Sequence, residues 1–166
     1  MSGEESTFVV EGFARVHAKR PFVCGNAVLD RYWRERAHQD MRRDVATVFT
    51  LLDKTTEAIA GYYTLSAASA ALANLPTETQ GVLPSYPQVP VVLLGRLAVA
   101  TIYQHRGLGA VLVYDAASRV RRSGVGCFAL VTDPIDGDAQ AFYVHLGFQM
   151  IEGAQGRLFA PIASLA

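Results

Sequence analysis

An apolar strand followed by a glycine-containing turn, a long amphipathic helix and a second apolar strand is the feature that most limits how this chain can fold. The first strand is predicted over residues 90–100, where apolar residues run almost without interruption. From residue 107 to residue 123 they recur with the period of a helix, and Gly124 is placed to end it. Residues 127–132 are continuously apolar, as expected of a strand buried on both faces. This order predicts an α/β or α+β domain with a mixed sheet.

The flanking segments add further strands and two helices. Runs rich in β-branched and aromatic residues predict strands at residues 7–11, 45–53, 58–65, 148–151 and 157–162. One helix begins after Asn26, a candidate N-cap. A second, short helix has Asp138 as its candidate cap, runs through Leu146 and is closed by Gly147. Residues 76–90 hold four of the seven prolines and are interpreted as a loop. The small residues at 66–73 fit close packing in a strand or in a helix, and the sequence leaves that choice open.

Length and composition place the chain among globular proteins. Its 166 residues fit one domain, which we expect to span residues 1–166. Hydrophobic residues make up 51% and charged residues 18%, which excludes a disordered chain. The sequence holds no apolar stretch of the roughly 20 residues that cross a bilayer, and its acidic start is unlike a secretory signal. Two cysteines, Cys24 and Cys127, are too few for a disulfide framework, so we expect a cytoplasmic protein without membrane contact.

Charge is balanced overall but uneven along the chain. Residues 14–50 carry eight bases and four acids, a net charge of +4, which leaves −4 for the rest of a neutral chain. On the helix after Asn26, one face is apolar and is formed by Leu29, Tyr32, Trp33 and Ala37. Another face is mostly basic and is formed by Arg31, Arg34, Glu35, His38 and Arg42. Arginine suits bidentate contact with phosphate or carboxylate, and an ordinary ion-pairing surface is an equal alternative.

The turn before the long helix reads Gln104-His-Arg-Gly107-Leu-Gly109. Glycines let a backbone come close to a ligand, and the first amides of a helix favour an anion. Arg106 adds a positive charge, so the pattern predicts a phosphate or pyrophosphate site at residues 104–110. It is not a P-loop, because no Lys-Ser/Thr pair follows the glycines. Taken alone, the same residues also fit a tight turn without a ligand.

A second motif contains a tyrosine in a short amphipathic helix. Its sequence is Ala141-Phe-Tyr143-Val-His-Leu-Gly147-Phe148, and a tyrosine in such a helix is usually part of the core. The combination of this motif with the turn resembles the GNAT superfamily of N-acetyltransferases, over most of the chain from the first helix to the last strand. The resemblance implies a single domain in which helices flank a central mixed, mostly antiparallel sheet.

The resemblance also implies acetyl-CoA as co-substrate, no metal, and direct attack of an amine on the thioester. The fourth strand pairs with the pantetheine arm in such enzymes, and the glycine turn holds the pyrophosphate. The implied cofactor-binding residues are Leu97, Ala98, Val99, Gln104, His105, Arg106, Gly107, Leu108, Gly109 and Ala110. Tyr143 matches the tyrosine that protonates the departing thiolate. Cys24 and Cys127 are therefore not expected to be nucleophiles.

Three more segments, at residues 22–32, 94–99 and 157–162, resemble the TacT-type toxins of bacterial toxin–antitoxin pairs. Such enzymes acetylate the α-amino group of aminoacyl-tRNA, stop translation and are neutralised by a ribbon-helix-helix antitoxin; a homodimer is also implied. The candidate tRNA contacts are Arg31, Arg34, Arg42 and Arg43. The neutral net charge departs from the clearly basic surface usual in that group, and a second basic cluster is formed by Arg119, Arg121 and Arg122.

The distribution of acidic residues indicates which kind of amine is acetylated. No Asp or Glu lies between Gln80 and Tyr114, whereas acetylating a lysine, with a pKa of about 10.4, needs a base. An α-amino group titrates at roughly 7.7–8.0, so much of it is neutral at pH 7. The pattern favours an aminoacyl ester, although Asp53, Glu57 or Asp133 could act through water. Alternatives are acetylation of a small-molecule amine or a protein N-terminus, and a protein that binds CoA without catalysis.

Overall fold

The computed structural model describes residues 7–153 and 155–165. Within them the strands are β1 Phe8–Gly12, β2 Thr47–Asp53, β3 Ile59–Ala71, β4 Gln88–Val99, β5 Ala129–Thr132, β6 Gln149–Met150 and β7 Leu158–Pro161. The α-helices are α1 Arg15–Ala18, α2 Ala27–Glu35, α3 Ala37–Arg42, α4 Thr77–Gly81, α5 Leu108–Arg122 and α6 Gly137–His145. Short 3₁₀ helices cover Leu72–Asn74, Thr101–Tyr103 and Ile162–Leu165. No helix of the described residues is long and apolar enough to cross a membrane.

The strands form one sheet in the order β1-β2-β3-β4-β5-β7-β6. Strands β4 and β5 run parallel, with Val91 opposite Ala129. The pairs β1–β2, β2–β3, β5–β7 and β6–β7 run antiparallel. The prediction of a mixed, mostly antiparallel sheet with helices is therefore confirmed. All four residues of β5 are buried, as its continuous apolar run predicts.

Contacts divide the chain into two compact units. Unit 1 holds the described residues up to Leu65 together with Arg96–Asp115. Unit 2 holds Ser66–Gly95 and the described residues from Ala116 onward. The expectation of a single domain over residues 1–166 stays a prediction.

Aromatic side chains form the core of unit 1. Trp33 is 1% exposed and contacts Phe13 edge-on, with ring centroids 5.1 Å apart. Phe22 and Tyr62 lie against the same indole, at 5.7 and 5.3 Å. Burying several large rings accounts for much of the favourable free energy of such a core. The apolar face predicted for the helix after Asn26 is confirmed, since all four of its residues are buried: Leu29, Tyr32, Trp33 and Ala37.

The helix that begins after Asn26 is shorter than the sequence pattern suggests. The Asn26 side chain accepts from the amides of Val28 and Leu29, as predicted for an N-cap. At Arg36, where φ is −119°, α2 ends and α3 begins. The Tyr32 hydroxyl then donates to Asp40, eight residues ahead, at 2.9 Å. A straight helix would separate these positions by about 12 Å along its axis, so this contact requires the break.

Three boundaries in unit 2 differ from the sequence prediction. The small residues from position 66 continue β3 as far as Ala71. The proline-rich segment contains the short helix α4, and β4 begins at Gln88 rather than at Pro90. Asp136, not Asp138, caps α6, because its carboxylate accepts from the amide of Ala139 at 2.8 Å. Asp138 instead lies in the first turn, where its negative charge interacts favourably with the helix dipole.

Candidate active site

In unit 1 the glycine turn is held at its base by Gln104. Its Nε2 donates to the carbonyl of Val99 at 2.9 Å and to the carbonyl of Cys24 at 2.8 Å. Both side-chain N–H groups are thus used within the protein, and the backbone amide of Gln104 donates to Thr101. Gln104 therefore positions the turn between the end of β4 and the loop that precedes α2.

The turn itself uses two residues in left-handed backbone conformation. His105 has φ of 64° and Gly107 has φ of 76°. Glycine adopts this conformation without cost, whereas it is unusual for histidine. Alternation of ordinary and left-handed residues turns successive amides toward one side, which is the geometry of a backbone anion site.

The amides of this turn are available to a ligand. Among the described residues, none accepts a backbone hydrogen bond from residues 105–110. Val111 is the first residue of the helix start to donate, to the carbonyl of Gly107 at 3.3 Å. Unpaired amides at the start of the 15-residue helix α5 lie at the positive end of its dipole. The turn can therefore bind a phosphate or a pyrophosphate.

Arg106 adds a cation whose side chain folds back on the turn. Its Nη2 donates to the carbonyl of Ile102 at 3.3 Å, and its guanidinium lies 5.3 Å from the centroid of Tyr103. The side chain is exposed. A ligand phosphate at the turn would therefore find a solvent-accessible positive charge beside the backbone amides.

The strand that leads to the turn is packed closely by a glycine that the sequence pattern did not single out. A Cβ atom on Gly61 would lie 2.7 Å from the carbonyl oxygen of Ala98 and 3.3 Å from Leu112 Cδ1. Ala98 is 4% exposed, while Leu97 and Val99 are partly exposed. An isolated glycine in a strand run can indicate close backbone approach, and at Gly61 that signal was present.

A hydrogen-bonded group that no sequence pattern predicted lies directly before the turn. The Tyr103 hydroxyl donates to Asp53 Oδ2 at 2.6 Å and lies 3.3 Å from Thr56 Oγ1. The hydrogen bond from Tyr103 and a second one from the backbone amide of Thr55 hold the pKa of Asp53 below its usual value. The same hydrogen bond raises the pKa of Tyr103. No spacing in the sequence joins positions 53 and 103.

In unit 2, Tyr143 lies on α6 and is 5% exposed. Its ring contacts Phe142 and Phe148, with centroids 5.0 and 5.2 Å away. The helix ends as predicted, at Gly147 with φ of 99°. Burial raises the pKa of Tyr143 to about 12, against a smaller opposite effect of the Thr132 hydroxyl. Tyr143 is therefore protonated at neutral pH and can donate a proton.

The carboxylates that could serve as a base are already engaged. Asp53 is held by Tyr103, and the pKa of Asp133 is lowered by a bidentate pair with Arg157 at 2.8 Å. Glu57 is exposed and lies 3.8 Å from Arg20. A general base works best with a pKa near the working pH, and a lowered carboxylate pKa moves away from it.

The basic face is exposed and spans two helices rather than one. Arg31 and Arg34 lie on α2, Arg42 ends α3, and Arg43 caps it. All four are exposed, and none forms an ion pair with another residue in the part of the chain that the structure describes. These charges are accessible to an anionic partner.

Neither cysteine has the environment of a nucleophile. Burial is the main factor that raises the pKa of Cys24 to about 11, and burial also raises the pKa of Cys127. Both thiols are therefore protonated at neutral pH, and only the thiolate is reactive.

Comparison with known proteins gives a consistent match over most of the chain. The profile of the acetyltransferase (GNAT) family matches residues 19–148. A tRNA-acetylating toxin of Mycobacterium tuberculosis is 34% identical over 131 residues, which cover 78% of this chain and 76% of that protein.

Solved structures match the fold as well. The toxin AtaT, complexed with acetyl-methionyl-tRNAfMet, superposes with a TM-score of 0.83 and 28% identity, covering 95% of this chain and 96% of that one. A mutant AtaT toxin bound to the C-terminus of the antitoxin AtaR superposes with a TM-score of 0.79 and 25% identity, covering 96% of each chain.

Proposed function

The chain belongs to the acetyltransferase (GNAT) family, and we propose that it is a toxin that acetylates aminoacyl-tRNA. It transfers an acetyl group from acetyl-CoA to the α-amino group of the charged tRNA and thereby blocks translation. The observation that carries this proposal is the 34% identity with a tRNA-acetylating toxin over 78% of the chain. The structure with acetyl-methionyl-tRNA supports it, at 28% identity.

The glycine turn of unit 1 holds the pyrophosphate of acetyl-CoA. The free amides of residues 105–110 and the charge of Arg106 support this role. Gln104 positions the turn through its two carbonyl contacts rather than by touching the phosphates. The backbone of Leu97, Ala98 and Val99 pairs with the pantetheine arm, which carries the thioester.

Tyr143 of unit 2 is the general acid. An amine that attacks the thioester expels the CoA thiolate, which takes up a proton as the carbon–sulfur bond breaks. A buried phenol whose pKa is raised to about 12 stays protonated and can supply that proton. The CoA thiol leaves in its neutral form, and the acetyl group stays on the nitrogen. The acetylated nitrogen releases one of its protons to solvent, and solvent returns a proton to the Tyr143 phenolate, so that the step balances.

An aminoacyl ester is the acceptor that needs least help from the protein. Its α-amino group is largely neutral near pH 7, so no strong base is required. Asp53 and Asp133 each have a lowered pKa, which makes both poor bases. A lysine acceptor would need such a base.

Transfer RNA binds through the exposed arginines of α2 and α3. Arg31, Arg34, Arg42 and Arg43 are accessible and carry no ion pair with a described residue. Such contacts with phosphates provide affinity rather than base specificity. The total charge of the chain is zero, but these arginines lie in the segment 14–50, which carries a net charge of +4.

A cognate antitoxin neutralises the enzyme, as the AtaT–AtaR structure suggests by similarity. We place the antitoxin in the ribbon-helix-helix class, the toxin in a homodimer, and its action in the cytoplasm, where charged tRNA is used.

Cell-free translation with the purified chain tests the proposed function. Translation is run with and without acetyl-CoA, and the charged tRNA pool is then analysed by mass spectrometry. We expect arrest only with acetyl-CoA, together with the mass gain of one acetyl group on the aminoacyl moiety. Normal translation by a protein that binds acetyl-CoA and acetylates small amines or protein N-termini would overturn the tRNA assignment.

A further inference from the structure

Arg96 lies in β4 directly before residues 97–99, on the side of that segment farther from the glycine turn. From Arg96 the last part of β4 continues through residues 97–99, and the turn at residues 105–110 follows after a short 3₁₀ helix; all of these residues belong to unit 1. In the proposed function the pyrophosphate lies at the turn and the pantetheine follows residues 97–99. The acetyl thioester is then at the opposite end of that segment. Arg96 is therefore next to the place where the acceptor amine must arrive.

The guanidinium of Arg96 is fixed by an aromatic platform. Its Cζ lies 3.8 Å from the centroid of the Tyr32 ring, a short distance for a cation–π contact. Tyr32 is 4% exposed and stacks on Tyr62, with centroids 6.1 Å apart and planes at 16°. The backbone amide of Arg96 donates to Thr64 Oγ1 at 3.0 Å. A platform so well packed leaves the side chain little freedom.

The same guanidinium lacks an anionic partner in the protein. It forms no ion pair and no hydrogen bond with any residue in the described ranges. The carboxylate of Asp40 accepts a hydrogen bond from the Tyr32 hydroxyl at 2.9 Å and forms no ion pair with Arg96. Arg96 is partly buried, and burying a charge without a partner is costly. The face of the guanidinium stacks on the Tyr32 ring, while the N–H groups at its edge are available to a ligand.

We propose that Arg96 binds the phosphodiester that precedes the terminal adenosine of aminoacyl-tRNA. This inference rests on the proposed function. Of all the anions in charged tRNA, that phosphodiester is the one closest to the reacting amino acid. Arginine can donate two parallel hydrogen bonds to one phosphate. A guanidinium that is already held in place loses less conformational freedom when it binds. Arg96 is thus a specificity-determining residue that distinguishes a tRNA terminus from a free amino ester.

Two short acceptors that differ by one phosphodiester test this inference. The first is adenosine with the amino acid amide-linked at its 3′ position, and the second is the corresponding cytidylyl-adenosine dinucleotide. Both carry the amino acid that mass analysis of the tRNA pool identifies. The measured quantity is the ratio of kcat/KM for the dinucleotide to kcat/KM for the nucleoside, with acetyl-CoA saturating. For the wild-type protein we expect a ratio of about ten or more, because charge-assisted bidentate contacts are strong.

Substitutions of Arg96 are expected to remove this preference. In Arg96→Gln the ratio should fall to roughly one, while kcat/KM for the nucleoside changes by less than about threefold. Arg96→Lys keeps the charge without the planar fork and should give an intermediate ratio. Lys54→Gln is the control for the loss of one positive charge, because Lys54 is exposed in the turn after β2 and its replacement should keep the ratio. Since each ratio is internal to one variant, partial loss of folded protein cancels.

The outcomes separate this inference from the proposed function. A wild-type ratio near one, or an Arg96→Gln ratio equal to that of the wild type, overturns the role of Arg96 while acetylation of charged tRNA still stands. A wild-type protein that acetylates no charged tRNA overturns both. An equal loss of activity on both acceptors in Arg96→Gln shows a structural role instead.

Discussion

The Tyr103 hydroxyl donates a 2.6 Å hydrogen bond to Oδ2 of Asp53. The two residues are fifty positions apart in sequence. Tyr103 ends the 3₁₀ helix that leads into the glycine turn, and Asp53 ends β2. Phe8 contacts the Tyr103 ring edge-on, with centroids 5.7 Å apart. The entrance of the proposed pyrophosphate site is therefore anchored to the first two strands.

Tyr103→Phe should lower the melting temperature by a few degrees at pH 7, because it removes this hydrogen bond and leaves the ring in place. The pKa of Asp53 is lowered in the folded state, so its ionised form stabilises the fold above an unfolded pKa of about 3.9. That contribution is lost as the pH falls through the folded pKa. Thermal melts at pH 7 and at roughly pH 3 should show a smaller difference between variant and wild type at the lower pH. An equal difference at both would contradict the role of Asp53.

Gly61→Ala should destabilise the protein by about 1–3 kcal/mol, since the new methyl group overlaps a backbone carbonyl that cannot move cheaply. The overlap is with Ala98, within the segment proposed to pair with pantetheine. We therefore also expect weaker acetyl-CoA binding, measured by calorimetry. Gly12→Ala is the control, because a Cβ at Gly12 meets no described atom within 4 Å. Similar losses of stability in both variants would contradict overlap with Ala98 as the cause.

Local signals in the sequence were sufficient to predict the start of α2, the end of α6 and the apolar face after Asn26. Asn26 caps α2 and Gly147 ends α6, because capping depends on residues a few positions apart. The break at Arg36 could not be predicted, since no local pattern signals it or the contact between Tyr32 and Asp40 that it permits. The prediction of Asp138 as the cap of α6 was wrong for a simpler reason: Asp136 and Asp138 lie close together, and only the backbone angles decide which of them caps the helix.

The sequence predicted only those parts of the candidate site whose residues are close together along the chain. The turn at residues 104–110 combines glycines and a helix start within seven positions, and the structure gives that segment free amides. The stacking of Arg96 on Tyr32 joins a strand to a helix far away in sequence. A single sequence contains no signal for such a pair, because neither residue type is unusual in its own element.

Tyr143→Phe should reduce kcat by roughly 10²–10⁴-fold, the usual contribution of a positioned general acid. The ring keeps its contacts with Phe142 and Phe148, so the melting temperature should change little. Acetyl-CoA affinity should also be unchanged, because the hydroxyl acts on the departing thiolate. Single-turnover rates and cofactor titration measure the two effects separately. A variant with full activity would exclude Tyr143 as the acid.

The pH dependence of kcat/KM should have an acid limb and no alkaline limb below pH 10. The acid limb reports the acceptor amine, whose pKa is roughly 7.7–8.0 or lower in an aminoacyl ester, because no protein base is required. Tyr143 must be protonated to act, and its pKa is raised to about 12, so its ionisation removes activity only at a pH well above 10. Amide-linked acceptors avoid ester hydrolysis during the measurement. An alkaline limb near pH 8 would indicate a different acid.

Salt dependence tests whether the arginines of α2 and α3 bind tRNA. Each phosphate contact contributes close to one unit to the slope of log K against log salt concentration. Replacing Arg31, Arg34 or Arg42 with Gln should therefore weaken tRNA binding and flatten this slope by about one unit per residue. Glu35→Gln is the control of opposite sign, because Glu35 is an exposed acid on the same helix and its removal should strengthen binding. If the slope is the same in the wild type and in all three arginine variants, tRNA binds elsewhere on the protein.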